Sequence, residues 1–339
     1  MENIETIAYD IQMLSVKVNP AAKPQENSAA QQAQGDAAFF LAHLSDPHLS
    51  SLSGVRFTSL LNKRLFGYLS WRRRRRGIHS PHVLEALLED LAAAAPDHVV
   101  VTGDLTHLGL PAEFSEAARW LARLGPPQAV TVVPGNHDTY VAAPFPDTFA
   151  KWAPYLAADE GEFTGIYPSL RVRGPVALIG MSSARPSAPF MAVGNLGRAQ
   201  LARLEKLLAQ TGQCGLLRIV LLHHPPVAGS ISWRKRLTDA GPLARVLARQ
   251  GAELILHGHA HVSLTRELVA GGRRIPVLGV PSASDSGSHP QRAARYHLYR
   301  FTREAGEWTL RLTVRVYSQR EKQFLTAEEK DILLPARGA

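Results

Sequence analysis

Five short apolar runs each end on Asp, Asn or His, and any fold for this chain has to accommodate that repeated ending. The runs lead into Asp46-Pro47-His48, Gly103-Asp104, Gly135-Asn136-His137-Asp138, His223-His224 and His257-Gly258-His259-Ala260-His261. Short apolar runs bounded by turn residues read as buried strands. The strand candidates are 39–44, 98–102, 129–133, 176–180, 218–222, 253–256 and 275–280, and the strictly alternating runs 295–301 and 308–317 read as an antiparallel pair. In open α/β sheets ligands collect beyond the carboxyl ends of the strands, which is where these polar residues fall.

Helical patterns separate the runs. Ser80-Pro81 starts one, with Leu84, Leu87, Leu88 and Leu91 on a single face. Pro111 opens a second that stops at Gly125-Pro126-Pro127. Leu201, Leu204, Leu207 and Leu208 mark a third ending near Gly212, and Asp239 begins a fourth that closes at Gly251. Strands alternating with helices predict an α/β layered domain. Residues 1–37 read as a flexible lead-in, 38–320 as the folded domain, and 321–339 as a polar tail or a lone terminal helix.

The donors at the strand ends suit metal ions. Carboxylate and amide oxygens with imidazole nitrogens accept magnesium, manganese, iron or zinc. One Asp can bridge two cations held about 3.5–4 Å apart, and such a pair turns water into a nucleophile near neutral pH. Alone, Asp46-x-His48 and Gly103-Asp104 are ordinary turns; Gly135-Asn136-His137-Asp138 is more specific, and five motifs in this order are hard to explain by packing. His259-x-His261 reads as two imidazoles on one side of an extended segment. His257 is either a support or a core residue, and His224 and His107 read as structural.

The order D-x-H, G-D, G-N-H-D, H, G-H-x-H resembles the calcineurin-like metallophosphoesterases over roughly residues 39–317. The resemblance implies a four-layer α-β-β-α sandwich of two mixed sheets flanked by helices. It implies that Asp46, His48 and His261 hold one ion, that Asn136, His223 and His259 hold the other, and that Asp104 bridges. It makes His137 the catalytic non-ligand histidine beside the phosphate, with Asp138 orienting it, and a metal-bridging hydroxide the nucleophile. The cofactors expected are two divalent or mixed-valence ions drawn from Mn, Fe, Zn and Mg.

Charge adds a second feature. Between Ser51 and Gly77 there is no acid, but there are Arg56, Lys63, Arg64 and the run Arg72 to Arg76, and these eight cations account for all but one of the formal net charge of +9. Phe57, Leu61, Leu65, Tyr68 and Leu69 recur there at helical spacing. Such a segment reads either as a solvated loop that aids solubility or as a cap that grips an anionic, lipid-linked substrate; its amphipathic pattern also suits an anionic membrane surface, to which the chain would bind peripherally. A second basic patch is Trp233-Arg234-Lys235-Arg236. Arg72, Arg73, Arg234 and Lys235, with Asn136 and His137, are the candidate substrate contacts.

The motif spelling is closest to bacterial class III cyclic-nucleotide phosphodiesterases, which makes hydrolysis of a phosphodiester the leading expectation. A pyrophosphohydrolase acting on a UDP-linked acyl sugar, as in lipid A synthesis, is the alternative that the basic insert favours. A binding module on a dead scaffold is the third, disfavoured because no ligand position is missing. The lone Cys214, no basic cluster leading into an apolar run at the start, and no membrane-length apolar run predict a cytoplasmic protein, stationed if anywhere at the inner-membrane periphery. Nucleic acid is disfavoured as a partner, and a homodimer is left open.

Overall fold

The computed structural model describes residues 38–335, apart from 50–51, 53–54, 56, 76, 288–291 and 305–306 and the side chains of 57, 74 and 75. The expected lead-in at 1–37 lies outside the described residues.

Two six-stranded mixed sheets form the centre. The first runs β12 (Gln323–Ile332), β11 (Glu307–Ser318), β10 (Arg295–Glu304), β1 (Phe39–Leu44), β2 (His98–Val101), β3 (Val130–Val132). The second runs β4 (Ser169–Arg173), β5 (Val176–Gly180), β6 (Leu217–Leu221), β7 (Leu254–His257), β9 (Arg273–Gly279), β8 (Leu264–Ala270). β1, β2 and β3 are parallel to one another, as are β5, β6, β7 and β9. The helices are α1 (Arg64–Ser70), α2 (Pro81–Ala94), α3 (Pro111–Leu124), the single turn α4 (Ala153–Leu156), α5 (Arg198–Gln213) and α6 (Ala240–Gln250).

The two-residue period of a strand divides the apolar side chains into layers. Phe39 and Leu41 of β1, Val100 of β2, Leu178 of β5, Ile219 of β6 and Leu254 of β7 share one core between the sheets. Their alternates face outward. Ala42, Leu44, Val99 and Val101 meet Leu84, Leu87 and Leu91 of α2 and Phe114 and Leu121 of α3. On the other side Val220 and Ile255 meet Leu204 and Leu208 of α5 and Leu243 and Leu247 of α6. Central strands covered on both faces read as continuous apolar runs, which is why they stand out in the sequence. The result is the expected α-β-β-α sandwich.

The expectation for the chain after Glu321 is corrected. Residues 323–332 are neither tail nor helix; they pair antiparallel with β11 as strand β12. β4 and β8 carry no sequence signal either. All three are edge strands, in which exposed charged positions dilute the apolar period. β12 is nonetheless anchored: Phe324 is buried with Tyr296 and Tyr317 against it. Phe324→Ala is therefore expected to cost about 3–5 kcal/mol, read as a lower urea midpoint at unchanged slope. A cost within the range of an exposed-site change would return the segment to the status of a tail.

Candidate metal centre

Every ligand candidate leaves the carboxyl end of a strand. Asp46 and His48 follow β1, Asp104 follows β2, Asn136 follows β3, His223 follows β6, and His259 and His261 follow β7. The first sheet supplies four of them and the second three, and they meet in two groups. Asp46, His48, Asp104 and His261 place one donor atom each within 4.8 Å of one another, as do Asp104, His223 and His259. Asp104 belongs to both. Asn136 joins the second group, its Oδ1 3.1 Å from His223 Nε2.

Hydrogen bonds decide which atoms face inward. His48 Nδ1 lies 2.9 Å from the Thr106 carbonyl and His223 Nδ1 lies 2.6 Å from the Thr102 carbonyl. A carbonyl can only accept, so both rings donate from Nδ1 and, when neutral, present a lone pair at Nε2. Those lone pairs meet Asp104 Oδ2 at 4.0 Å and 3.3 Å. Asp104 Oδ1 accepts the His137 amide at 2.7 Å, and Asp46 Oδ2 accepts the His259 amide at 3.0 Å. Each carboxylate thus fixes the chain with one oxygen and aims the other at the centre, where Asp46 Oδ1 lies 3.2 Å from His261 Nε2. His48 Nε2 is buried without a hydrogen bond. Acceptors facing acceptors in a dry cleft are stable only with positive charge between them, and the donor set fits cations there. Burial opposes charging His223, but the Asp104 carboxylate overcomes it and raises the imidazole to about 9. Burial would raise Asp104 itself, yet the facing His223 and His137 hold it well below the usual carboxylate range.

The backbone is bent to make this convergence. Asp46, His48, Asp104, His259 and His261 all have positive φ, between 42° and 67°, a region that costs energy for residues other than glycine. His259 and His261 therefore do not lie along an extended segment, as their spacing suggested. They sit on successive bends and serve different groups. Gly258 permits the closest approach, since a Cβ there would lie 1.8 Å from Ser45 Oγ.

Asp138 does not orient His137. Its carboxylate accepts the amides of Gly135, Asp104 and Thr106, each at 2.9 Å, and so ties the loop after β3 to the loop after β2. Burial and the neighbouring Asp104 push it up to about 7. The His137 ring is held instead by the His107 carbonyl, 2.6 Å from Nδ1. That carbonyl sits in a loop fastened by Glu113, which accepts the amides of His107, Leu108 and Leu110. Glu113 is buried and carried no sequence signal beyond its place in the first turn of α3. His224 is structural, as expected: one ring nitrogen meets Ser183 Oγ at 2.8 Å and the other the Ala192 carbonyl at 3.2 Å. His257 is buried against Gly279 and supports the bend.

The basic insert is docked beside the centre. Leu52, Leu60 and Trp71 are buried with Leu108 and Leu110, and Leu65, Tyr68 and Tyr140 pack around them. Gly67 lets α1 come down on Leu108 and Tyr140. Arg64 donates to the Leu108 and Gly109 carbonyls at 3.0 and 2.6 Å, and Trp71 meets His107 edge-on. The single apolar face expected for the insert is split, because Leu61 and Leu69 point outward. His79, just past the arginine run, lies with its ring 4.6 Å from that of His48, a neighbour the sequence did not mark. Arg72, Arg73, Arg234 and Lys235 are exposed, and the Lys235 carbonyl fixes His259 Nε2 at 3.0 Å.

Residues 41–263 match the family model of the calcineurin-like phosphoesterases. The chain belongs to that family. Membership makes it a metallophosphoesterase, an enzyme of the hydrolase class from a family that uses a dimetal centre. It is 27% identical over 209 residues to a probable cyclic nucleotide phosphodiesterase of Synechococcus, covering 61% of this chain and 72% of that one. It is 28% identical over 247 residues to a cAMP/cGMP dual specificity phosphodiesterase of Mycobacterium tuberculosis (70% and 65%). It is 31% identical over 191 residues to the 3',5'-cyclic adenosine monophosphate phosphodiesterase of Escherichia coli (55% and 60%). Its fold is shared by a dimetal phosphatase of Danio rerio, at 13% identity and a TM-score of 0.57, covering 85% of this chain and 98% of that one. It is shared too by a purple acid phosphatase of yellow lupin, at 12% identity and a TM-score of 0.55, covering 87% and 54%.

A carboxylate common to two groups predicts an asymmetry among variants. In calorimetric titration of metal-stripped protein with Mn²⁺, Asp104→Asn is expected to weaken both binding steps, whereas His261→Ala weakens one. Two unaltered steps in Asp104→Asn would remove the shared role.

Proposed function

We propose that the chain hydrolyses a small phosphodiester at this centre, with 3',5'-cyclic nucleotides as the first substrate class to test. The observation that carries the reading is the single oxygen, Asp104 Oδ2, faced by histidines of both groups, beside a histidine belonging to neither. Asp46, His48, His261 and Asp104 would hold one cation, and Asn136, His223, His259 and Asp104 the other. When bound, such a pair activates water and neutralises charge on the non-bridging phosphate oxygens. The names of the bacterial relatives support a diester over a monoester.

The remaining chemistry belongs to the chain's own residues. His137 donates from Nδ1 to the His107 carbonyl, so Nε2 is left for the departing oxygen, and in the doubly protonated ring it gives that oxygen a proton. The Asp138 brace fixes the His137 backbone against Asp104, which holds the distance between acid and ligand set. Asn136 would contact the phosphate as well as serve as a ligand. Arg72, Arg73, Arg234 and Lys235 raise the local concentration of anionic substrate from the rim.

A second reading, cleavage of a pyrophosphate in a UDP-linked acyl sugar, is favoured by one observation: Leu61, Phe66 and Phe190 stand exposed near the insert. Metal-loaded protein assayed on cyclic AMP, bis(p-nitrophenyl) phosphate, p-nitrophenyl phosphate and a UDP-linked acyl sugar separates the two. Turnover of the monoester alone would overturn both, and full diesterase activity after exhaustive chelation would overturn the metal assignment.

His137→Ala is expected to keep the wild-type metal stoichiometry and lose about 10²–10⁴-fold in kcat on a substrate with a basic leaving group. The loss should shrink with p-nitrophenol, which needs little help to depart. Loss of a metal equivalent in this variant would make His137 a ligand.

A further inference from the structure

The two basic segments that the sequence keeps about 160 residues apart are joined in space by a third loop. Lys63 of the insert donates to the Ser187 carbonyl at 2.8 Å, and the rings of Phe66 and Phe190 lie 5.8 Å apart. The same loop then pairs with the second basic segment. The Ala192 amide donates to the Arg234 carbonyl at 2.9 Å and that of Gly194 to the Arg236 carbonyl at 3.1 Å. Lys235 in turn touches the metal centre through His259. Insert, loop and second segment thus form one continuous rim.

Two properties of that rim are unusual together. Its charge has one sign: residues 51–77, 181–204 and 222–238 contain no Asp or Glu at all. It also exposes large apolar side chains, with Leu61 67%, Phe66 52%, Phe190 78% and Trp233 59% accessible. Leu65, Tyr68 and Trp71 already supply the contacts that dock α1, so Phe66 and Leu69, three apart on its outer side, are not needed for packing. Phe190 is held at φ 65°, a conformation costly for a bulky residue, and it spends that cost on reaching solvent.

We infer that this rim is a docking face for an anionic lipid bilayer, which brings the metal centre to the membrane surface. Arginines on the rim meet lipid phosphates while Leu61, Phe66, Phe190 and Trp233 enter the interfacial region, as interfacial segments do. Nucleic acid would satisfy the charge but would leave the leucine and the paired phenylalanines without a use. No described helix is long and apolar enough to cross a membrane, and the contact proposed for this rim is peripheral. The inference does not depend on which phosphoester is cleaved.

The test is co-sedimentation of the full-length protein with vesicles of phosphatidylcholine alone and of phosphatidylcholine mixed with phosphatidylglycerol. Binding is expected only to the mixed vesicles and should fall as salt screens it. The double change Phe66→Ser and Phe190→Ser should lower partitioning by about tenfold or more even at low salt. Its melting temperature and turnover of bis(p-nitrophenyl) phosphate should stay at wild-type values. Arg72→Gln with Arg73→Gln should lower partitioning by about tenfold. Absence of vesicle binding at low salt overturns the inference. So does vesicle binding that is indifferent to the phenylalanine changes, or a duplex oligonucleotide that binds more tightly than the vesicles.

Discussion

Asp104 Oδ2 is the atom around which the rest of the molecule is arranged. Two imidazole lone pairs and an amide oxygen converge near it in a place with little water. Such a convergence is repulsive in itself, so the surrounding fold must hold it together until positive charge arrives. The sandwich does this by making the convergence a property of strand ends, whose positions are fixed by extensive cores on three levels. The local cost appears as positive φ at five of the seven ligand candidates, and it is borne by the packing beneath them.

The neighbours of the ligands do as much as the ligands. Asp138 spends its carboxylate on three amides rather than on an imidazole, which makes the loops after β2 and β3 a single rigid piece. Glu113 fastens the next loop in the same manner and thereby aims the carbonyl that holds His137. Arg64 grips the carbonyls of that loop from the outside. The insert is therefore coupled to His137 through a short run of backbone between residues 107 and 110.

Most of the central architecture was legible in the sequence, because strands covered on both faces leave uninterrupted apolar runs and because each delivers a polar residue at one end. β1 and β5 fall where the pattern put them. The edge strands β4, β8 and β12 were not legible, since a strand with one solvated edge and charged outward positions looks like a loop. The ligand candidates stand out because their residue types are chemically restricted, and the structure brings two groups of them together. The role of Asp138 could not be read: the family resemblance implied that it serves His137, whereas the turn points its carboxylate back into the loops. Glu113 and His79 were missed because they reach the centre through tertiary packing and not through a motif. Likewise, nothing in the chain order reveals that the loop around Phe190 joins two distant basic segments.

The division of the ligand candidates between the sheets would have a thermodynamic consequence. Asp46, His48, Asp104 and Asn136 come from one sheet, and His223, His259 and His261 from the other. A cation held by both sets is a clasp across the sandwich, closing it at the one end where buried like-charged and lone-pair groups push it apart. Ligation and folding then draw on the same free energy. On that reading the folded population would rise with the free-ion concentration. Scarcity of the cation would then lower the amount of intact protein as well as the fraction of loaded sites, and the clasp would make supply of the cofactor a control on abundance.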